Sequence, residues 1–369
     1  MRYHDTTMPR RSPKKPTAPP TDRRYEVELI TGLERFVDEE LANTLGRRAY
    51  RLMGYPKEGR MSIRYSGPVE RLMDLRTAVA VHFVERFDVP RPKALLGHQH
   101  LTRLIDSIGV VIDLHPPETF STFRVSAAGS ESATMRRFRN EIAAAIHLDE
   151  QTDDAHLLLS LRPSTSGGGW EVLVRLTPMP LSARPWRVCN RPDALNATVA
   201  HAMVTLPGHS DHDRFLNLGC GSGTLLIERL VAGPAASVTG LDIDPEAIIC
   251  TERNLNAAGS QQPANLILGD IHSPPLPDAS FEAAVADLPF GMLANTDIAL
   301  DRLYESALRE TARLVVTDGA FTVITTRRRL FEDTLARHTD QWRRTAEVPL
   351  RVSFLRGYIA PSIYLLRRM

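Results

Sequence analysis

Residues 215–230, FLNLGCGSGTLLIERL, contain the pattern that decides the fold. A short apolar run leads into Gly219, Gly221 and Gly223, and a segment of helical character begins at Thr224. A strand that ends in a glycine turn and continues as a helix is how an α/β sheet builds a nucleotide pocket. The glycines let the backbone turn sharply and approach a ligand closely. Because Thr224 replaces the third glycine of the dinucleotide fingerprint, the loop alone does not identify the ligand.

Three further apolar runs follow, and an acidic residue comes at or soon after the end of each. The runs are Val238–Leu241, Asn265–Leu268 and Ala283–Ala286, and the acidic residues are Asp242, Asp270 and Asp287. An acidic residue about 20 positions after a glycine turn, at the tip of the next strand, is placed to bind ribose hydroxyls. Together the four runs predict one ligand-binding edge of a parallel sheet.

The motifs NLGCGSGTLLIE, GLDIDPEAI, GD and DLPFG resemble, in that order, those of class I S-adenosylmethionine-dependent methyltransferases. The LGCGSGTLLIE form and the D-x-P-F tetrad are similar to the THUMP-domain RNA guanine-N2-methyltransferases in particular. The resemblance covers residues 25–369, strongly over 215–291 and diffusely before about 180. It implies a Rossmann-like class I methyltransferase domain with a mostly parallel seven-stranded sheet, preceded by an α+β region of ferredoxin-like and THUMP parts.

Composition and resemblance together suggest a domain plan. Its parts are a disordered basic, proline-rich tail (1–24), an N-terminal ferredoxin-like domain (25–93), a THUMP-like RNA-binding domain (94–180), a linker (181–200) and the methyltransferase domain (201–369). The tail holds seven Arg or Lys and two Asp, with too little apolar content to order itself. After a strand over Tyr25–Ile30, Thr31 is the expected cap of a helix with Glu34 at the capping-box position, and Val69–Phe83 is a predicted helix.

The resemblance also implies how the cofactor, S-adenosylmethionine, is held. Asp242 would accept from its ribose hydroxyls and Asp270 from its adenine amine, with Ile243 and Ile271 flanking the ring. The predicted cofactor-binding residues are Asn217, Gly219, Cys220, Gly221, Gly223, Thr224, Asp242, Ile243, Asp270, Ile271 and Asp287. Methyl transfer from a sulfonium is an in-line displacement that needs no metal, and we predict none.

The predicted catalytic residues are the tetrad Asp287, Leu288, Pro289 and Phe290. An exocyclic base amine is a poor nucleophile because its lone pair is delocalised into the ring. The Asp287 carboxylate and the Leu288 carbonyl can bind its two hydrogens, Pro289 stiffens the turn, and Phe290 offers a stacking face. The commoner family tetrad has proline where this chain has Leu288. The tetrad leaves guanine N2 and adenine N6 open, and the THUMP-like front half favours RNA and guanine.

Two groups of arginines are predicted RNA contacts. Arg136, Arg137 and Arg139 lie at the start of a predicted helix, where a THUMP unit would hold an acceptor stem through its phosphates. Arg327, Arg328 and Arg329 follow the predicted strand Phe321–Thr326. The alternative for the first group is a solvated helical face, and the alternative for the second group is a solvated helix start.

The remaining expectations concern surroundings and partners. No apolar run approaches 18 residues, so no membrane span is predicted. Cys189, Cys220 and Cys250 are odd in number and widely spaced, which favours buried reduced thiols in a cytoplasmic protein. The expected function is that of a monomeric tRNA guanine-N2-methyltransferase, for which a small activator subunit is conceivable. The alternatives are the same chemistry on rRNA, or an RNA-binding module with an inactive methyltransferase domain.

Overall fold

A computed structural model of the 369-residue chain describes residues 22–192, 194–288, 297–354 and 357–369. The described strands form an eight-stranded sheet in the N-terminal half, a seven-stranded sheet in the C-terminal half, and a separate two-stranded hairpin. Most of the predicted tail, together with Pro289 and Phe290, lies outside the described residues.

The front half (residues 22–180) is a mixed sheet with helices packed against it. Its helices are α1 (Glu34–Leu45), α2 (Glu70–Met73), α3 (His98–Ile112) and α4 (Ala133–Ile146), with a short 3-10 helix over Pro92–Leu96. Its strands are β1 (Arg23–Leu29), β2 (Tyr50–Leu52), β3 (Arg60–Tyr65), β4 (Ala78–Phe87), β5 (Thr122–Ala127), β6 (Asp149–Glu150), β7 (Leu157–Pro163) and β8 (Trp170–Arg175). The sheet order β2-β3-β1-β4-β8-β7-β5-β6 pairs β4 with β8, so strands from both sides of residue 93 share one sheet and one buried core.

Two local predictions in the front half are wrong. The segment 69–83 is helical only over α2, and Ala78–Phe87 forms β4 in the middle of the sheet. Most residues of β4 are buried, and a strand buried on both faces lacks the alternation that would distinguish it from a buried helix. Thr31 does not cap α1 either. The residue before the helix is Leu33, and the Glu34 carboxylate accepts a hydrogen bond from the backbone N–H of Gly32 at 2.8 Å.

The C-terminal half alternates helices and strands before it ends in antiparallel strands. Its helices are α5 (Ala197–Thr205), α6 (Thr224–Ala232), α7 (Pro245–Ala258), α8 (Asp297–Leu314) and α9 (Arg328–Leu335), with a 3-10 helix over Ala336–His338. Its strands are β9 (Arg214–Leu218), β10 (Ser237–Asp242), β11 (Ala264–Leu268), β12 (Phe281–Asp287), β13 (Val315–Thr325), β14 (Trp342–Pro349), β15 (Val352–Phe354), β16 (Gly357–Ile359) and β17 (Ser362–Arg368).

The seven-stranded sheet has the order β11-β10-β9-β12-β13-β17-β14. Strands β11, β10, β9, β12 and β13 run parallel, and β17 pairs antiparallel with both β13 and β14. This confirms the predicted mostly parallel seven-stranded sheet. Strand β9 has β10 on one side and β12 on the other, so the strand order reverses beside it. Open α/β sheets bind ligands at the carboxyl ends of the strands at such a reversal.

A buried carboxylate joins the two halves of the chain. Glu228 of α6 is fully buried and accepts from Arg184 at 2.8 Å, from Arg76 of the front half at 2.9 Å, and is 3.0 Å from Nδ1 of His201. Burial by itself raises the pKa of Glu228, but the His201 contact and the charges of Arg184 and Arg76 outweigh it and lower the pKa to about 2. The helix that follows the glycine loop is therefore held to the front half by charge.

We expect Glu228→Gln to lower the free energy of unfolding by about 3–5 kcal/mol at pH 7, because the buried Arg184 and the half-buried Arg76 lose their carboxylate. The folded-state pKa is depressed, so this stabilisation is complete above the ordinary value of 4.5 and is lost as the pH falls toward about 2. Denaturant unfolding of both proteins at several pH values measures the difference. Glu141→Gln, in the exposed pair with Arg137, is the control and should change stability little. A gap between wild type and Glu228→Gln that stays constant on acidification contradicts this account.

Candidate cofactor pocket and active site

A cavity of about 600 Å3 lies at the carboxyl ends of the parallel strands, beside the loop that follows β9. The predicted site residues that line it are Gly219, Cys220, Gly221, Thr224, Asp242, Ile243, Asp270, Ile271, Asp287 and Leu288. They come from four different strand ends, which the parallel sheet brings to one edge. The structure thus places most of the predicted cofactor-binding residues around one space.

The glycine loop turns through left-handed backbone conformations, with φ of 58° at Gly221 and 80° at Gly223. A Cβ atom at Gly223 would come within 2.9 Å of the Thr251 side chain, whereas one at Gly221 would meet no atom within 4 Å. Helix α7 holds the loop from behind, because Thr251 donates to the Gly221 carbonyl at 2.9 Å and Asn254 donates to the Ser222 carbonyl at 2.8 Å. The loop is therefore packed on one side and open on the other.

Asp242, at the end of β10, organises the loop as well as lining the cavity. Its Oδ2 accepts from the Gly221 backbone N–H at 2.8 Å, and its Oδ1 accepts from the Asp244 N–H at 3.0 Å. Each oxygen keeps a second lone pair for a ligand hydroxyl. Asp244 in turn caps α7 by accepting from the Glu246 N–H at 2.9 Å.

The adjoining wall combines a carboxylate with apolar side chains. Asp270 follows β11, and its Oδ1 accepts from the His272 N–H at 2.9 Å, which fixes the turn. Ile243 lines the cavity yet is 67% exposed, and Ile271 is half-buried. An exposed isoleucine beside a polar acceptor offers a flat ring both apolar contact and a hydrogen bond.

The tetrad begins at the end of β12, next to the cavity. Asp287 pairs in register with Ile324 of β13, and Leu288 is buried, with its N–H directed to the Ile324 carbonyl at 3.3 Å. The Leu288 side chain therefore packs in the hydrophobic core and holds the end of β12 in place. Pro289 and Phe290 lie outside the described residues.

Two predicted cofactor-binding residues do not line the cavity. Asn217 is fully buried in β9, where its amide is 3.4 Å from the carbonyls of Leu218 and Val285 and its Oδ1 has no partner among described atoms. Gly223 lies at the start of α6, packed on Thr251. Asn217 lies in the strand that precedes the glycine loop, and Gly223 lies where the loop enters α6.

One wall of the cavity comes from the predicted linker. We call residues 184–192 with Ala194 and Leu195 the strap. Arg191, Pro192, Ala194 and Leu195 line the cavity, and Arg191 forms an ion pair with Asp244 at 2.6 Å. Arg187 donates to the Leu195 carbonyl at 2.9 Å and to Oγ1 of Thr224 at 3.0 Å. The sequence analysis did not predict this wall, because its contacts join residues far apart in sequence.

The prediction of three reduced thiols is wrong for two of them. Cys189 of the strap and Cys250 of α7 form a disulfide across 61 residues of sequence, and Cys220 is free and buried. Asn254 exchanges two hydrogen bonds with the Cys189 backbone, each 2.8 Å long. Burial raises the pKa of Cys220 to about 12, so this thiol is a poor nucleophile at neutral pH. The chemistry at this edge therefore has no reactive cysteine.

The two predicted arginine groups occupy different parts of the molecule. On α4, Arg136 and Arg137 are exposed, while Arg139 is half-buried and paired with Glu150 at 2.5 Å. The other group begins α9 and lies just beyond the end of β13, beside the strand that carries Asp287. There Arg328 pairs with Glu347 at 2.7 Å, and Arg329 is exposed.

Two features are absent from the described residues. No described helix is both long and apolar enough to cross a membrane. Nor does the described part of the chain hold three or more His, Cys, Asp or Glu side chains grouped as metal ligands.

Residues 184–356 match the family model described as "UPF0020: RMKL-like, methyltransferase domain". The match begins in the strap and includes the glycine loop and every strand end of the cavity. The methyltransferase domain predicted from the motifs is confirmed.

Two relatives support the resemblance to guanine-N2-methyltransferases. Human U6 snRNA (guanine-N(2))-methyltransferase THUMPD2 is 30% identical over 146 residues, which cover 40% of this chain and 27% of that protein. The tRNA (guanine(10)-N2)-dimethyltransferase of Methanothermobacter thermautotrophicus is 34% identical over 105 residues, 28% of this chain and 30% of that protein. The chain thus spans less than a third of the length of these curated relatives.

The solved structure of TrmN from Thermus thermophilus has the same fold over nearly the whole chain. It superposes with a TM-score of 0.71 at 20% identity and covers 94% of this chain and 99% of TrmN. The likeness extends through the front half, which the family model does not reach. It confirms the predicted fold class of a methyltransferase sheet preceded by an α+β region.

Proposed function

We propose that this chain, whose residues 184–356 are a methyltransferase domain, transfers a methyl group from S-adenosylmethionine to the exocyclic N2 amine of a guanosine in tRNA. The observation that carries the proposal is the cavity beside the glycine loop, which Asp242, Asp270 and Asp287 line from the ends of β10, β11 and β12. The two relatives described above act, by their names, on the same amine of guanine, one in U6 snRNA and one in tRNA.

The residues present fit S-adenosylmethionine. The side of the loop at Gly219 and Gly221, where an added Cβ would enter empty space, leaves room for the amino-acid portion. The free lone pairs of Asp242 suit two ribose hydroxyls, and Asp270 with the exposed Ile243 suits an adenine. When bound, the cofactor supplies an electrophilic methyl group on its sulfonium.

In this proposal the tetrad presents the acceptor amine to that methyl group. Asp287 and the Leu288 carbonyl accept the two amine hydrogens and keep the nitrogen lone pair directed at the methyl carbon, while Phe290 stacks on the base. Methyl transfer would form a C–N bond and break the C–S bond of the cofactor, which would leave as S-adenosylhomocysteine, and the amine would lose one proton to solvent. Holding the two reactants in line at near-attack distance supplies several kcal/mol of the barrier reduction.

The front half and the arginines serve RNA in this proposal. The ferredoxin-like part (25–93) and the THUMP-like part (94–180) hold the tRNA, with Arg136, Arg137 and Arg139 on its phosphates. Arg327, Arg328 and Arg329 contact phosphates close to the target nucleotide. A cytoplasmic, monomeric enzyme, with or without a small activator subunit, belongs to the same proposal.

Methylation of transcribed RNA tests the proposal directly. The purified chain is incubated with S-adenosylmethionine and transcribed tRNA or rRNA, and the digested nucleosides are separated by mass spectrometry. We expect N2-methylguanosine in tRNA and none without the protein. Product only in rRNA, or N6-methyladenosine instead, would reassign the substrate or the acceptor. RNA binding without any methylation would favour an inactive RNA-binding module.

A further inference from the structure

The two-stranded hairpin β15–β16 lies at the edge of the sheet that carries Asp287. Strands β14 and β17 pair as far as Pro349 and Ser362, and Ser362 pairs with Thr325, the last residue of β13. Strand β13 is parallel to β12, which ends at Asp287. The chain between β14 and β17 therefore continues beyond the sheet on the side of the proposed active site. The turn that joins β15 to β16 lies outside the described residues.

The base of the hairpin is fixed to both halves of the molecule. Leu350 is buried, and its N–H donates to the Pro361 carbonyl at 2.8 Å, which closes the base. The next N–H, of Arg351, donates to the carbonyl of Thr31 in the front half at 3.0 Å. At Gly32 a Cβ would lie 2.2 Å from the Pro349 carbonyl, so the two segments are as close as glycine allows. The base of the hairpin therefore lies where the front half meets the sheet that carries Asp287.

The hairpin carries an exposed arginine–tyrosine stack. The Arg351 guanidinium carbon is 4.1 Å from the centroid of the Tyr358 ring, which is 59% exposed. In the other four arginine–aromatic stacks of the described residues the ring is at most 6% exposed. Arg351 forms no ion pair with a described residue. This stack therefore offers solvent both an aromatic face and an unneutralised cation.

We propose that Tyr358 stacks on an unpaired base beside the target nucleotide and that Arg351 binds an adjacent phosphate. An exposed aromatic ring with a neighbouring cation is the combination that proteins use to bind unpaired nucleotides. A flipped target leaves its neighbours partly unstacked, and a stacking side chain at the junction would hold them. The inference deepens the proposed function and rests on it for the identity of the RNA.

The variants Tyr358→Ala, Tyr358→Phe and Arg351→Ala test the two contacts in the full-length chain. Val231→Ala is the control, since Val231 is an apolar side chain that is 47% exposed in the last turn of α6, outside the parts to which RNA contacts are assigned. We expect Tyr358→Ala to weaken binding of transcribed tRNA by about 5- to 150-fold and Tyr358→Phe to retain most of the affinity. Arg351→Ala should reduce the slope of log affinity against log salt by about 0.7–0.9, the value for one phosphate, whereas Tyr358→Ala should leave the slope unchanged.

Two further measurements distinguish an RNA contact from a structural role of the hairpin. In the Tyr358 and Arg351 variants, the affinity for S-adenosylmethionine and the melting temperature should stay at wild-type values. Unchanged tRNA affinity in Tyr358→Ala, or a parallel loss of cofactor affinity and melting temperature, would overturn the inference. If wild type and Tyr358→Ala form the same amount of methylated guanosine in tRNA, the inference is overturned and the proposed function stays intact. Weaker tRNA binding by Tyr358→Ala, in a protein that never methylates, would support the RNA contact and remove the proposed enzyme activity.

Discussion

Asp287→Ala is expected to lower the single-turnover rate of methylation by about 100-fold or more, the cost of one lost transition-state hydrogen bond. Asp287 ends β12 at the cavity, where its carboxylate would accept an amine hydrogen as the nitrogen attacks. Because that contact matters most in the transition state, affinity for cofactor and for RNA should stay within a few-fold. Folded, cofactor-saturated protein and excess enzyme over RNA are the conditions for the measurement.

The alternative for the tetrad is a structural turn that closes the sheet edge. In that case Asp287→Ala and Phe290→Ala would lower stability and affinity together and leave catalysis per folded molecule unchanged. Under the proposed mechanism Phe290→Ala loses a stacking face worth about 1–3 kcal/mol, and part of that loss appears in RNA binding. Asp211→Ala, in an exposed loop before β9, is the matched control. A wild-type single-turnover rate in Asp287→Ala would rule out amine positioning by this carboxylate.

The cavity was predictable because its parts have local signals. A glycine turn such as Gly219–Gly223 and acidic residues after short apolar runs are visible in the sequence, and a parallel sheet brings all carboxyl strand ends to one edge. Asn217 has no comparable signal. It stands between apolar neighbours of β9, and the sequence does not show that this strand is covered on both faces.

The strap wall was not predictable from local pattern. Arg191 reaches the cavity because the chain folds back over α7, and its partner Asp244 is 53 residues away. The pairing of Cys189 with Cys250 depends on the same close approach. Cysteine spacing alone gives no distance between residues so far apart in sequence.

The continuity of the front sheet also depends on a long-range pairing. Strand β8 pairs with β4 although α3, β5, α4, β6 and β7 lie between them in the sequence. In this pairing His82 lies opposite Arg175, and Phe87 lies opposite Trp170. Once β4 is taken for a helix, this pairing cannot be inferred. An error over the first six residues of β4, 78–83, therefore hid the connection between the two predicted small domains.

Asp242→Ala is expected to weaken S-adenosylmethionine binding by about 2–4 kcal/mol, or about 30- to 900-fold. The variant removes the proposed ribose acceptors and also the two backbone hydrogen bonds to the N–H groups of Gly221 and Asp244. Titration calorimetry on folded protein measures the loss. Asp244→Asn is the matched control, since it keeps a capping side chain at α7 and removes only the charge paired with Arg191.

Hydrogen exchange at Gly221 separates the two contributions of Asp242. If the carboxylate mainly orders the loop, the Gly221 amide should exchange much faster in Asp242→Ala, and Asp242→Asn, whose amide oxygen still accepts one bond, should recover part of the protection. If it mainly binds ribose, cofactor affinity should fall in both variants while loop exchange changes little in Asp242→Asn. Unchanged affinity in a folded Asp242→Ala protein would remove the ribose assignment, and the tip of β10 would then hold the glycine loop alone.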